Sequence, residues 1–254
     1  MSYDHPELLQ GGIAPGHAFF ELIEEAYRVF AYPKPASIGV CVGCCLNPKI
    51  EADFFNPPIR ALPLNYVQDW YSAAYEQHGT PKETWAYLIP RILEFMAAEE
   101  DICVSAFEVS LNRFENGNPK NWSADEWRVL DSFQRKYLQR AAETGPELLD
   151  DVICLFELGG WPLTDLLDQV SAMSDAVLAQ CFWRDWCSWC APGREGVRTS
   201  TFWNRYVDSV AAHNFYTSQD MYDRMKALAL ADDTDPELAE KALVVAGIIE
   251  TCAP

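Results

Sequence analysis

Apolar side chains recur at three- and four-residue intervals along most of this 254-residue chain, and no run alternates polar with β-branched residues. That period belongs to helices that bury one face, whereas a half-buried strand needs a period of two. The expected fold class is therefore all-α, as an irregular multi-helix bundle or a short α-solenoid. No self-similar period of the kind that defines a repeat family accompanies it. The whole of 1–254 reads as a single all-α domain, with a sub-division near 191–198 where Cys190-Ala191-Pro192-Gly193 stops the pattern.

Local signals mark the helices. A first helix is predicted over about 17–30, with Phe20, Ile23, Ala26, Tyr27 and Phe30 on one face, and Tyr32-Pro33-Lys34-Pro35 ends it. Residues 33–63 hold six prolines and the cluster Cys41-Val42-Gly43-Cys44-Cys45, with no helical period, and read as an ordered Pro/Cys-rich loop with short turns. Helices resume near Asn65. Thr80-Pro81 suits a start, with Thr80 as cap, for a stripe of Trp85, Leu88, Ile89, Ile92, Leu93 and Met96 that Pro90 should kink. Ser123 and Glu126 have the spacing of a capping box, in which each side chain meets the other's backbone amide. Gly145-Pro146 and Gly159-Gly160 separate later helices, and Asp235-Pro236 suits the start of the last.

Composition narrows the partners. With 49% hydrophobic and 13% aromatic residues the chain can bury a large core, so disorder is not expected. Its 38 acidic against 19 basic side chains give a net charge of -19, which repels phosphate backbones and anionic headgroups. Neither nucleic acid nor a membrane surface is an expected partner. No apolar stretch is long enough for a membrane span, and Asp4, Glu7, Glu21, Glu24 and Glu25 do not suit a secretory signal. The expected location is the cytoplasm, where nine cysteines would stay reduced.

Four pieces in order, Tyr32-Pro33, Cys41-Val42-Gly43-Cys44, Pro58-Ile59-Arg60-Ala61-Leu62, and Trp85 through Glu94 with its Ile89-Pro90-Arg91-Ile92-Leu93-Glu94 core, form a pattern. It resembles a bacterial helical family, of no assigned activity, in which a CxxC loop is followed by a "PLREL"-like segment and a "FLPRILEL"-like helix. The resemblance covers roughly 32–95, and it implies a bacterial, helical, cytoplasmic protein while supplying no catalytic residues. This chain departs from the pattern by a third adjacent cysteine, Cys45.

Among chemical motifs, two CxxC pairs stand out. Cys41 with Cys44, and Cys187 with Cys190, each have the spacing of half a tetrahedral zinc site, so structural zinc is expected if the halves converge; otherwise these cysteines are small buried hydrophobes. No other cofactor is called for. The four histidines are scattered, and no nucleophile elbow or phosphate-binding glycine loop occurs. Adjacent carboxylates such as Glu24/Glu25 and Asp150/Asp151 read as solvated faces. The dense cluster Trp183, Trp186 and Trp189 suits core packing, and Trp186 and Trp189 are partner anchors if exposed. The acidic runs Glu99-Glu100-Asp101 and Asp232-Asp233 with Asp235 fall at helix ends, where a basic partner can dock.

The function these features give is an acidic cytoplasmic binding protein for a basic protein partner, as an immunity protein is to a bacterial toxin. No catalytic residue is assigned. An enzyme with a site assembled from distant helices, and a zinc-stabilised scaffold, are the alternatives.

Overall fold

The computed structural model describes residues 12–41, 46–74, 80–188 and 195–252. Among these residues the regular elements are helices and no strand occurs, so the all-α expectation holds. No helix among them is long and apolar enough to cross a membrane. The chain divides into two compact units, Met1–Gln134 and Arg135–Pro254. The division falls inside a helix. That helix gives Phe133, 5.4 Å from the ring of Phe19, to the first core and Tyr137, 6.0 Å from the ring of Phe156, to the second.

In the first unit, α1 (Phe20–Val29) packs on α4 (Lys82–Ala97). The α1 helix starts later than the sequence period suggests, because His17 is used in the turn before it: its carbonyl accepts from Phe20 and its Nδ1 from Phe19. Between them the Pro-rich stretch contains more helix than expected. Asn47 caps the short α2 (Pro48–Asp53) by accepting from the Lys49 amide, Pro48 sits in the first turn, and Ile59–Ala61 forms one 3-10 turn. Residues 42–45 lie outside the described residues. α3 (Leu64–Ser72) delivers Trp70, fully buried, whose indole donates to the Ile38 carbonyl at 2.8 Å and lies 6.1 Å from the ring of Trp85.

The α4 helix is buried almost all round and runs through Pro90. Its start differs from expectation: Pro81 holds the cap position without a side-chain bond, and the Thr80 hydroxyl has no hydrogen-bond partner among the described residues. At its far end Glu99 adopts φ 61, and the amides of Glu99 and Glu100 return to the carbonyls of Met96 and Phe95. This is a Schellman turn with glutamate where glycine is usual. The helix α5 (Ala124–Glu143) opens on the expected capping box: the Ser123 amide donates to Glu126 at 2.7 Å and the Glu126 amide to Ser123 at 3.3 Å.

The second unit continues with α6 (Leu149–Leu158), α7 (Leu163–Ser171) and α8 (Asp175–Trp183), which passes into one π-helical turn over Arg184–Ser188. The α6 helix also ends in a Schellman turn, here with Gly160 at φ 97 and the Trp161 amide returning to Phe156. After the non-helical 195–205 stretch come α9 (Tyr206–Tyr216), α10 (Gln219–Leu230) and α11 (Pro236–Cys252), and α8, α10 and α11 pack on one another. Asp235 caps α11 by accepting from the amides of Glu237 and Leu238, the start read from Asp235-Pro236. The acidic side chains are shared evenly between the units.

Candidate functional site

The first unit is organised around a buried charged centre. Arg91 and Glu94 lie one turn apart on α4, with side chains 1% and 7% exposed, and form an ion pair. The Arg91 Nε also donates to the Leu62 carbonyl at 3.0 Å, and its guanidinium lies 4.2 Å from the centre of the Phe95 ring. From α1, the Tyr27 hydroxyl donates to Glu94 Oε2 at 2.6 Å. Burial, then the neighbouring Glu94 charge, push the Tyr27 phenol well above its ordinary pKa, so it stays a hydrogen-bond donor.

The backbone at Gly12 and Ile13 closes over this centre. The Ile13 amide donates to Glu94 Oε1 at 3.3 Å, while Gly12 at φ 70 comes so near that a Cβ there would stand 2.0 Å from the same oxygen. Only glycine fits both the conformation and the approach. Beside the pair lies a cavity of about 470 Å³, walled by Ile13, Phe95 and Ala98 with His17 and Glu100. A wider hollow of about 860 Å³ faces α1 on the Tyr27 side. Its Glu24 is held below its usual pKa chiefly by hydrogen bonding to Arg60, which also lies 4.0 Å from the Tyr27 ring centre.

The second unit has its own buried polar centre. Asp150, at the start of α6, accepts from the Ser200 amide at 2.5 Å, the Trp203 indole at 3.0 Å and the Tyr216 hydroxyl at 2.9 Å. Desolvation raises its pKa and the Asp185 charge adds to the rise, while the three donors oppose it. The solvated-face reading of Asp150 is thus corrected, since the side chain is buried where it tethers the non-helical 195–205 stretch to α6 and α9. Asp185, on the π turn, accepts the Leu149 amide at 2.9 Å and so satisfies one of the four open donors at the start of α6. It is also 2.7 Å from Arg184 and 3.6 Å from the Cys181 sulfur, whose thiol burial holds well above its ordinary pKa.

The residues singled out from sequence fall in different places. Glu99 and Asp101 are exposed and Glu100 is half-exposed at the cavity. Asp232, Asp233 and Asp235 are exposed on the α10–α11 link. Asp233 and Asp235, with Asp175, rim an open hollow of about 490 Å³ whose floor includes Ala227, Leu228 and Leu238. Asp175 is paired there with Arg224 at 2.7 Å, which leaves the rim charge mainly to the link.

Trp186 is a correction. It is 2% exposed and stacked on Phe182 with ring centres 4.4 Å apart, because the π turn rotates it into the core, so it is a packing residue and not an exposed anchor. Trp189, Cys44 and Cys190 lie outside the described residues. Cys41 and Cys187 are both half-exposed and belong to the first and second unit respectively. Among the described residues no group of three or more His, Cys, Asp or Glu side chains is arranged to hold a metal.

Sequence reasoning placed the segment containing Arg91 and Glu94 on a helix and set it apart through a resemblance, but gave neither residue a role, and passed over Tyr27 and Asp185 as site residues. One signal was available: two opposite charges three positions apart inside a stripe that is otherwise apolar are expected to be buried together. No family model, curated protein or solved structure matches the chain.

Proposed function

We propose that the chain is an acidic binding protein that docks a basic protein partner against the α10–α11 link; in its most specific form the partner is a bacterial toxin that it neutralises. The observation that carries this reading is the hollow of about 490 Å³, where the exposed carboxylates of Asp233 and Asp235 stand over an aliphatic floor. A lysine or arginine suits such a place, because its methylene stem covers apolar surface while its charged end reaches the rim. The net charge of -19 adds long-range attraction for a cationic surface.

The reading predicts strong salt dependence of encounter. The Debye length falls from about 10 Å at 0.1 M to about 3 Å at 1 M ionic strength, so association slows while dissociation, set by close contacts, changes less.

The test uses a synthetic peptide alternating lysine and leucine as probe. Its affinity is measured for the full chain, for Asp232→Lys with Asp233→Lys, and for Asp165→Lys with Asp168→Lys, an equal charge change on the exposed face of α7. Asp235 is left unchanged because it caps α11. The link variant should lose about tenfold or more in affinity and the α7 variant much less. Equal losses in both, or binding indifferent to salt, would show a diffuse solubility charge and overturn the proposal.

A further inference from the structure

We infer that the cavity beside the Arg91–Glu94 pair is a binding site for a small organic cation, an amine carried on an apolar body. It lies wholly within the first unit and is independent of the docking reading. Its volume of about 470 Å³ is that of a small-molecule site, for which about 300 to 1,000 Å³ is usual. The walls divide as such sites do, with Ile13, Phe95 and Ala98 on the apolar side and a few polar groups converging from other directions.

The sign of the ligand follows from the charge balance of the lining. Arg91, the guanidinium of the lining, is already met by Glu94, and both are buried, so the pair presents no net charge, while His17 uses its Nδ1 to accept the Phe19 amide. Glu100 is the remaining carboxylate. An anion entering here would face two carboxylates against one committed guanidinium. An amine gains Glu100 at short range and the field of the whole protein at long range.

The site is also built, in that its shape depends on two backbone positions in the left-handed region. Gly12 at φ 70 lets the 12–14 segment lie against Glu94 and form one wall. On the other side Glu99 at φ 61 turns the chain at the end of α4, and Glu100 follows at the cavity with its amide bonded to the Phe95 carbonyl. A side chain in that conformation is disfavoured over the right-handed one.

Two probes with the same body and opposite charge, phenethylamine and phenylacetate, distinguish the possibilities in calorimetric titrations of the full chain. Phenethylamine should bind and phenylacetate should not. Glu100→Gln should weaken the amine about tenfold, as expected for loss of one charge-assisted contact. Ala98→Phe, at an exposed position on the cavity wall, should abolish binding by filling the space. Asp232→Asn with Asp233→Asn should leave amine binding unchanged, which separates this site from the acidic link. Each variant's helical circular dichroism is compared with that of the parent chain, and because Glu100 and Ala98 are not buried, both variants should keep the fold. Absence of phenethylamine binding, preference for phenylacetate, or equal amine affinity in Glu100→Gln would overturn the inference. Loss of binding in the Asp232/Asp233 variant alone would move the amine to the link and overturn it as well.

Discussion

Each unit has a polar centre with a buried carboxylate, Glu94 in the first and Asp150 in the second, and the two are stabilised by different means. Glu94 is held by the guanidinium of Arg91 as well as by Tyr27 and the Ile13 amide, whereas Asp150 is met by three neutral donors. The helix ends nearby differ in the same spirit: α4 closes on Glu99 and α6 on Gly160, both left-handed. The contrast teaches that the first unit depends on a compensated charge and carries strain at its helix end. The second depends on hydrogen-bond geometry and a relaxed one. A charge held by a charge cannot lose its partner cheaply, but a charge held by dipoles tolerates an isosteric neutral group.

The largest expected effect follows from that difference. Glu94→Gln leaves Arg91 buried without its countercharge and should cost about 3 to 5 kcal/mol by urea denaturation. Replacing Arg91 and Glu94 together by methionine should recover much of the loss, since burial of two charges is itself unfavourable. If Glu94→Gln costs less than about 1 kcal/mol, the pair does not carry the first unit and the comparison fails.

At the helix ends, Glu99→Gly should raise stability by about 1 kcal/mol, and Gly160→Ala should lower it by about the same amount, because only glycine occupies the left-handed region without a Cβ penalty. Thermal and urea midpoints of the two variants should move in opposite directions. Equal shifts of one sign would show that the two turns are not equivalent.

The smallest effect is at Asp150. In Asp150→Asn the oxygen can accept from Ser200 and Trp203 while the amide group donates to the Tyr216 oxygen, so the cost should be below about 1 kcal/mol near neutral pH. The sharper signature is in the pH dependence. The fold binds the Asp150 proton more tightly than the unfolded chain, whose carboxyl titrates near the ordinary value of 3.8. Stability from this group is therefore full below that value and is lost as pH rises through the raised folded pKa. The urea midpoint of Asp150→Asn, measured against that of the parent chain from pH 4 to 7, should move in favour of the variant as pH increases. A difference that does not change with pH would show that Asp150 is not desolvated.

The sequence by itself determined the helices, most of their ends and the charge. Ser123 with Glu126, Gly159-Gly160 and Asp235-Pro236 act within a few residues of themselves, through caps and turns that need no tertiary partner, and they stand where the periodicity and local chemistry put them. Exposure of Asp232 and Asp233 was equally legible, as short polar side chains between two helices seldom have a reason to be buried. Only the tertiary structure decided which polar groups go inside. Asp150 and Asp151 are neighbours of the same kind, yet one is buried and the other half-exposed, because Tyr216 lies 66 positions and Trp203 53 positions further along and both turn their donors toward Asp150. Glu94 meets Tyr27 across 67 positions, and Trp186 is rotated inward by a π turn that no local pattern announces. The cost of burying a polar group is offset by partners distant in sequence, so a local reading finds the elements and the surface charge but not the buried polar centres or the cavity that one of them borders.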